Sequence, residues 1–395
     1  MAFFRNSAVN LLNLHYGIYS IAISGGGAFF CVYLLRAGVP LAGVLEAMAA
    51  ILLVRFVIRP ALVPLAVRYG LQRLVVAGTL LVAAQFILIA GVHGVGPALY
   101  ALVVVSALGD TVYWSSYHAY FAALGDREHR GHQIGAREAI AAMAGIVSPL
   151  ATGWILVAFG PWAAFGASAA ITALAAVPLL WTPRVSVTRE VQGAWKASIP
   201  GVKLFLTDGW VGAGWVFVWQ IALFVSLGQS FVNYGSALAV AALVGAVAGM
   251  LLGRHIDAGH GGAVVLVALS ALTGVIVLRA AAAGHPTLAI IANALASIAT
   301  CVYIPTMMTA VYNQAQRSPC TLRFHVATEG GWDVGGASGC LAAAALLHFG
   351  LPISAALLLP LIGVAAAFVQ LRRYYAANVA VRVFSIEPGP RESLS

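Results

Sequence analysis

Charged residues are scarce in this chain: only 8% of its 395 residues are Asp, Glu, Lys or Arg. Soluble domains average about 25% charged residues. Hydrophobic residues instead make up 62% of the sequence, and 42 glycines add further uncharged positions. A soluble fold of this length leaves much of its surface in water, and this composition could not cover that surface. Soluble enzymes and disordered proteins are therefore excluded, and the composition indicates an integral membrane protein.

Cysteine is also sparse, and the patterns of catalytic and metal sites are missing. Four cysteines stand singly in or beside apolar segments, without CxxC or His/Cys spacing, so neither a disulfide framework nor a zinc site is indicated. No G-x-S-x-G, H-E-x-x-H or Walker loop occurs either. We therefore expect neither an enzyme nor a bound metal or cofactor.

Basic residues outnumber acidic ones, 21 against 12, but they are scattered singly between apolar segments. A nucleic-acid-binding surface needs them clustered on one solvated face, so no nucleic-acid partner is expected. Their distribution instead predicts orientation by the positive-inside rule. With the N-terminus inside, every Lys and Arg except Arg36 and Arg279 falls on an inner loop or inner helix end. Both termini are therefore predicted in the cytoplasm, and the protein in the inner (plasma) membrane.

Apolar stretches long enough for a spanning helix, about 20 residues, recur twelve times along the chain. They cover residues 15–36, 41–65, 74–93, 97–121, 136–159, 162–181, 208–229, 234–253, 263–283, 286–312, 326–348 and 351–374. A polar stretch after the sixth divides them. This predicts an N-terminal six-helix bundle (1–181), a cytoplasmic linker (182–207), a C-terminal six-helix bundle (208–374) and a cytoplasmic tail (375–395). The predicted fold is all-α, with twelve transmembrane helices in two bundles.

Six plus six helices around a long central loop resemble the major facilitator superfamily of secondary transporters. That family carries a loop motif, G-x-L-A-D-R-x-G-R-R, after its second and eighth helices. Here the link after the eighth helix keeps Gly253 and Asp257, whereas the link after the second keeps Arg68, Gly70 and Arg73. The resemblance rests on the architecture and on these two partial copies of one motif.

The fifth helix resembles that of drug/proton antiporters, whose motif there is G-(x)8-G-(x)3-G-P-x-x-G-G. Small residues and the proline stand at the matching positions: Gly135, Ala144, Ser148, Pro149, Thr152 and Gly153. The resemblance implies a secondary active transporter that exports a small organic solute by alternating access in exchange for protons. Two alternatives stay open, a solute importer or uniporter and a transporter-like membrane sensor that does not transport. The expected partners are the solute, protons or another ion, and the lipid bilayer, and the protein is expected to be a monomer.

In this superfamily helices 1, 4, 7 and 10 line the central cavity, so polar and aromatic residues at helical spacing there are candidates for substrate binding. They are Asn13, Tyr16, Ser20, Tyr113, Trp114, Tyr117, Trp215, Trp219, Asn293 and Ser297. Asp110 shares a face of the fourth helix with Tyr113, near mid-membrane, where an ionisable group is costly and a functional candidate. We predict that Asp110 couples proton movement to transport, with His118 as a second candidate.

Other charges within the predicted helices indicate a gate. Arg55 and Arg59 are one turn apart on the second helix, as are Glu329 and Asp333 on the eleventh, at similar depth. Unpaired, each would be expensive in lipid. Helices 2 and 11 adjoin in the superfamily, so the resemblance implies that these residues pair and close the cytoplasmic side.

Three further acidic residues fall within or beside predicted helices. Glu138, beside Arg137 on the fifth helix, is expected to take a similar part against the eighth helix. Asp257 of the loop motif is assigned to the same gate. Glu46, near the outer end of the second helix, has no evident partner in the sequence.

Overall fold

The computed structural model of the protein describes residues 6–125, 130–188, 191–256 and 261–384, with side chains except at 130–139, 252–256, 261–263 and 377–384. Within these ranges the chain is mostly helical and contains no strand. The prediction of an all-α protein is therefore confirmed.

The long helices are labelled in chain order, with short 3-10 and π-helical turns included in the helix they continue. They are α1 (Ser7–Arg36), α2 (Leu41–Tyr69), α3 (Leu71–Ala90), α4 (Pro97–Leu124), α5 (Arg130–Ala158), α6 (Gly160–Trp181), α7 (Ala194–Ser226), α8 (Phe231–Ile256), α9 (Gly261–Ala282), α10 (Pro286–Arg317), α11 (Thr321–His348) and α12 (Pro360–Phe384). A single helical turn, Ile353–Ala356, precedes α12.

Local sequence accounts for several of the helix boundaries. The helices α4, α10 and α12 each begin at a proline, whose fixed φ suits the first helical turn and whose missing N–H costs no hydrogen bond there. Between α2 and α3 the chain turns at Gly70, whose φ of 78° lies in the left-handed region that glycine adopts without strain. There the amide of Leu71 donates to the Val185 carbonyl at 3.0 Å.

Within the described residues, eleven helices are long and apolar enough to cross a membrane. The prediction of a membrane protein with many spans is confirmed. The helix outside this count is α11, whose 28 residues include Arg323, Glu329 and Asp333. These charges lower its hydropathy, and the helix packs between α2 and α7.

Two boundaries differ from the sequence-based prediction. Residues 194–207, assigned to the linker, form the first part of α7, because Lys196 and Lys203 resemble loop residues in a sequence but are tolerated where a helix extends beyond the apolar core. Likewise α12 continues to Phe384, into the predicted tail. A spanning helix therefore runs past the hydrophobic stretch that identifies it.

The two parts of the chain meet along two helix pairs. Within the first part α3 packs against α4 and α6, and α1 against α5 and α6, whereas in the second part α7 packs against α11 and α12. The contacts between the parts join α2 to α11 and α5 to α8.

The two ends of the molecule differ in packing. At the end that we name the linker end, where Ser7 and residues 182–188 lie, a cavity of about 790 Å³ separates α4 from the α10–α11 connection. At the opposite end, the Tyr234 hydroxyl of α8 donates to the Ala28 carbonyl of α1 at 3.1 Å. The rings of Phe29 and Phe231 also approach there, with centroids 6.1 Å apart.

The helices α7 and α11 pack backbone to backbone. A Cβ atom added at Gly209 of α7 would collide with the main chain of Trp332. The same holds for Gly331 and Gly335 of α11 against the main chain of α7. Small residues permit such close approach, and these glycines make α7 and α11 one tightly joined pair.

Candidate functional site

A buried group of ionisable side chains lies where α2, α4 and α11 meet. We name it the charged cluster; it consists of Arg55, Arg59, Asp110, Glu329 and Asp333. The Arg55 guanidinium lies 3.0 Å from Asp333, 3.3 Å from Asp110 and 3.8 Å from Glu329. The Arg59 Nε donates to Asp333 Oδ2 at 2.9 Å, and its Nη2 forms a second bond to the same atom. Asp333 thus accepts hydrogen bonds from Arg59 and also forms an ion pair with Arg55.

The cluster joins the two parts of the chain. The side chain of Asp333 on α11 is fully buried and both of its arginine partners are on α2. Ser115 of α4 accepts a hydrogen bond from Arg59 Nη1 at 2.9 Å. The sequence analysis did not single out Ser115, because nothing in its spacing distinguishes it from other small helix residues. Together these contacts tie α2 and α4 to α11.

The charges of the cluster do not balance. Two guanidinium groups face three carboxylates, so one negative charge is in excess when all five groups are ionised. The cation of Arg55 also lies 5.7 Å from the ring centre of Trp332. Of the carboxylates, Asp110 is the most exposed, with 26% of its side chain accessible against 20% for Glu329. The cluster can therefore take one proton and still leave each arginine a charged partner.

Asp110 has a neighbour that its sequence position did not indicate. Its helical spacing grouped it with Tyr113, Trp114 and Tyr117, and Arg55 was assigned to a different pair of helices. In the structure the Asp110 carboxylate accepts from Arg55 Nη1. Asp110 is therefore part of an ion-pair network in addition to lying beside an aromatic group.

The aromatic residues predicted on α1 and α4 come together around a histidine that was not predicted. The ring of Tyr16 stacks on Tyr117 at 5.3 Å and that of Tyr19 on Tyr113 at 4.2 Å. His15 contacts the Ala175 carbonyl through Nδ1 at 2.6 Å and the Tyr113 hydroxyl through Nε2 at 3.0 Å. Because a carbonyl can only accept, Nδ1 carries the proton, and in the neutral ring Nε2 accepts from Tyr113.

These aromatic residues form a packed core. Tyr113 and Tyr117 are fully buried, and Asn13 and Ser20 are buried beside them. The Ser20 hydroxyl donates to the Tyr16 carbonyl of its own helix. Trp114 is half-buried, and the ring of His118 stacks on it at 5.7 Å. The first part of the chain thus places the predicted substrate-binding residues together, but their rings are packed against each other.

The second part of the chain places its predicted residues around a cavity of about 270 Å³ between α7, α8 and α10. We name it the Arg279 pocket. Trp215, Asn293 and Ser297 line it, and so does Arg279 of α9. The Trp219 indole donates to Asn293 Oδ1 at 2.9 Å. The sequence analysis used Arg279 only to orient the chain, yet the residue is buried, with 5% of its surface accessible.

The remaining gate residues are placed as follows. The side chain of Glu138 and the whole of Asp257 lie outside the described residues. Glu46 does have a partner, since its Oε1 lies 2.7 Å from His348 Nε2 at the opposite end. This pair is exposed. Among the described residues, no group of His, Cys, Asp and Glu side chains is placed to hold a metal ion.

Comparisons with known proteins agree with the fold. The chain is similar to a crystal structure of an auto-inhibited peptide transporter of the POT family, with 13% identity and a TM-score of 0.63 over 94% of this chain and 96% of that chain. At this identity the likeness shows the fold alone. No curated protein matches the sequence. The family model of the Major Facilitator Superfamily matches residues 16–233, more than half of the chain. The predicted resemblance is confirmed, and the chain belongs to the major facilitator superfamily.

Proposed function

We propose that the protein is a secondary transporter that moves a small organic solute by alternating access, with twelve spanning helices in two bundles of six. The twelfth span is α11, which is apolar from Val334 to Leu347 and holds its acidic residues against the arginines of α2 rather than against lipid. The linker end is then the cytoplasmic end, and both termini lie there, as the positive-inside rule predicts.

The observation that carries this proposal is the position of the charged cluster. Asp110 lies 13 residues from the start of α4, and Asp333 lies 12 residues from the start of α11. At 1.5 Å per residue, both are about 18–20 Å from a helix end, near the middle of a bilayer whose apolar core is about 30 Å thick. Ionisable groups at this depth are costly and mark ion or substrate pathways.

Proton coupling follows from the excess carboxylate. Asp110 is the most accessible acid of the cluster, and Arg55 keeps Asp333 and Glu329 as partners when Asp110 is neutral. A proton on Asp110 therefore removes one contact between α2 and α4 and leaves the α2–α11 pairs in place. Coupling requires only that the two conformations differ in their affinity for the proton and for the solute. The fifth-helix motif favours proton-driven export.

The ion pairs are also proposed to latch the two parts of the chain. They were expected to form when the cytoplasmic side is closed. Here they coexist with the cavity at the linker end, so we place the latch along the α2–α11 contact, deeper than the cytoplasmic entrance. Breaking the pairs would free α2 from α11.

The variant Asp110→Asn tests the proposal, because it keeps the shape of the side chain and removes its titration. In proteoliposomes loaded with a solute selected by thermal-shift screening, we expect the variant to lose accumulation driven by a pH gradient and to retain downhill exchange. Glu46→Gln is the matched control, since it removes a carboxylate that is exposed at the opposite end.

Accumulation by Asp110→Asn at the rate of the unmodified protein would show that Asp110 has a structural role. Accumulation by the unmodified protein without any dependence on the pH gradient would favour a uniporter or a transporter coupled to another ion. Binding of the solute without transport in either direction would favour the sensor alternative.

A further inference from the structure

Arg279 is a buried cation at the opposite end of the molecule. It lies near the C-terminal end of α9, where a long side chain could reach the membrane surface. Instead the guanidinium carbon lies 4.0 Å from the ring centre of Trp215 and 4.5 Å from that of Trp219. Both tryptophans belong to α7, so the side chain is directed into the protein.

Most hydrogen-bonding capacity of Arg279 is unused. A guanidinium carries five N–H donors, and among the described residues it makes one hydrogen bond, from Nη1 to the Trp215 carbonyl at 2.9 Å. Its Nε is buried without a hydrogen-bond partner. Within the described part of the chain no carboxylate pairs with it. A buried charge is normally paired, so this side chain lacks a negative partner.

The backbone of α7 is irregular where it meets Arg279. Residues Ala213–Val218 form a π-helical turn, and Trp215, whose carbonyl accepts from Arg279, lies within it. Such turns widen a helix and release carbonyl groups from its regular ladder, and they occur frequently at functional sites. The turn and the arginine therefore mark the same place independently.

The cavity beside Arg279 has a polar wall on α10 and an apolar wall on α8. Ser297 and Thr300 of α10 contribute hydroxyl groups, and Asn293 contributes an amide. The remaining lining is small and apolar, from Ala241 and Ala242 of α8. This lining suits a small molecule with an anionic head and a short apolar body, because the guanidinium can bind a carboxylate through two parallel hydrogen bonds and the alanines can contact the apolar part.

We propose that the Arg279 pocket binds the carboxylate of a small apolar organic acid, and that such an acid belongs to the substrates of this protein. The claim that such an acid is a substrate rests on the proposed transport function. The claim that the pocket binds a carboxylate does not depend on it. Arg279 supplies the charge, and Ser297 lines the same cavity. The Asn293 amide also lines it, with its oxygen bonded to the Trp219 indole and its nitrogen donating to the Ala237 carbonyl.

Binding to the purified protein tests the site without any transport step. The probes are benzoate, phenylacetate and isovalerate, with benzamide as a neutral molecule of the shape of benzoate. We expect at least one of the acids to bind the protein in phosphatidylcholine nanodiscs, by calorimetry and by thermal shift. Arg279→Gln should weaken that binding about tenfold or more, whereas Arg279→Lys, which keeps the charge but not the planar fork, should fall between.

Arg36→Gln is the matched control, because Arg36 is at the same end of the molecule but exposed. It should bind the acids as the unmodified protein does. If Arg279→Gln does not fold, Arg279→Lys takes its place. We expect the ratio of acid affinity to benzamide affinity to be lower in Arg279→Lys than in the unmodified protein, and an unchanged ratio would contradict the proposal. Failure of all three acids to bind, or equal binding to unmodified and Arg279→Gln protein, would overturn the proposal.

A lipid headgroup is the competing source of an anion. Adding phosphatidylglycerol to the nanodiscs separates the two sources. Stabilisation through Arg279 by this lipid, without binding of the soluble acids, would overturn the solute site. Acid binding that depends on Arg279 but is not followed by transport in proteoliposomes would leave the site standing and contradict the proposal that such an acid is a substrate.

Discussion

The charged cluster and the Arg279 pocket both hold arginines away from water, but they satisfy them in different ways. In the cluster, two arginines of α2 face two carboxylates of α11 and one of α4. In the pocket, one arginine faces two indole rings, one carbonyl and a cavity. A cation that the protein satisfies itself is suited to holding helices together. A cation that it leaves largely unsatisfied is suited to binding something else.

The largest effect is expected from removing the shared acid of the cluster. Asp333→Asn leaves Arg59 without its carboxylate partner, and losing one member of a buried pair typically costs about 3–5 kcal/mol. Thermal unfolding in detergent should show a marked drop in Tm. A double-mutant cycle with Arg59→Gln should give strong coupling, and additivity of the two changes would contradict the cluster as described.

A much smaller loss of stability is expected for Asp110→Asn. The cluster carries one carboxylate in excess, and Arg55 retains Asp333 and Glu329 when Asp110 is neutral. The change should therefore alter the free energy of unfolding by about 1 kcal/mol or less, although we expect it to abolish the proposed proton coupling. A loss as large as that of Asp333→Asn would show that Asp110 is an obligatory structural partner.

The comparison predicts that Arg279→Gln, without ligand, loses less stability than Arg59→Gln. Removing a paired buried arginine strands a carboxylate, whereas removing Arg279 strands none among the described residues. We expect the Tm of ligand-free Arg279→Gln to stay close to that of the unmodified protein, because lost cation–π contact, about 0.5–2 kcal/mol, is offset by relief of an unpaired buried charge. A large drop in Tm would instead identify a structural arginine.

The smallest effect is expected at the opposite end, for the exposed pair of Glu46 and His348. Exposed ion pairs contribute about 0–1 kcal/mol and are screened by salt. Glu46→Gln should therefore change the Tm by less than Asp333→Asn or Asp110→Asn. Measurement at low and high ionic strength separates the contribution of the pair from that of packing.

The residues differ in how far the sequence predicted their place. Similar depth on two helices that adjoin in the superfamily put Arg55, Arg59, Glu329 and Asp333 in one candidate group, and the structure brings these four side chains together. Asp110 was separated from that group because helical spacing relates residues on one helix and carries no information about its neighbours. Only the contact between α2 and α4 in the structure shows that Asp110 lies beside Arg55.

The positions of Arg279 and His15 could not be predicted in the same way. The positive-inside rule places Arg279 at a helix end. It does not indicate whether the side chain reaches the membrane surface or turns inward toward Trp215 and Trp219, as it does in the structure. His15 fell outside the stripe of Asn13 and Tyr16 because it lies on another face of α1. A search for every ionisable residue within the apolar stretches would have found both, without revealing their partners.

The close contact between α7 and α11 has a mechanical consequence. Because the glycines bring the two backbones together, we expect these helices to move as one rigid unit. That unit carries Asp333 at one place and Trp215 at another. If the two parts of the chain rotate relative to each other, as alternating access requires, we expect the separation between Asp333 and Trp215 to stay constant while the distances from Asp333 to Arg55 and Asp110 change. A proton bound at the charged cluster and an acid bound in the Arg279 pocket would then both influence the angle between the two parts of the chain.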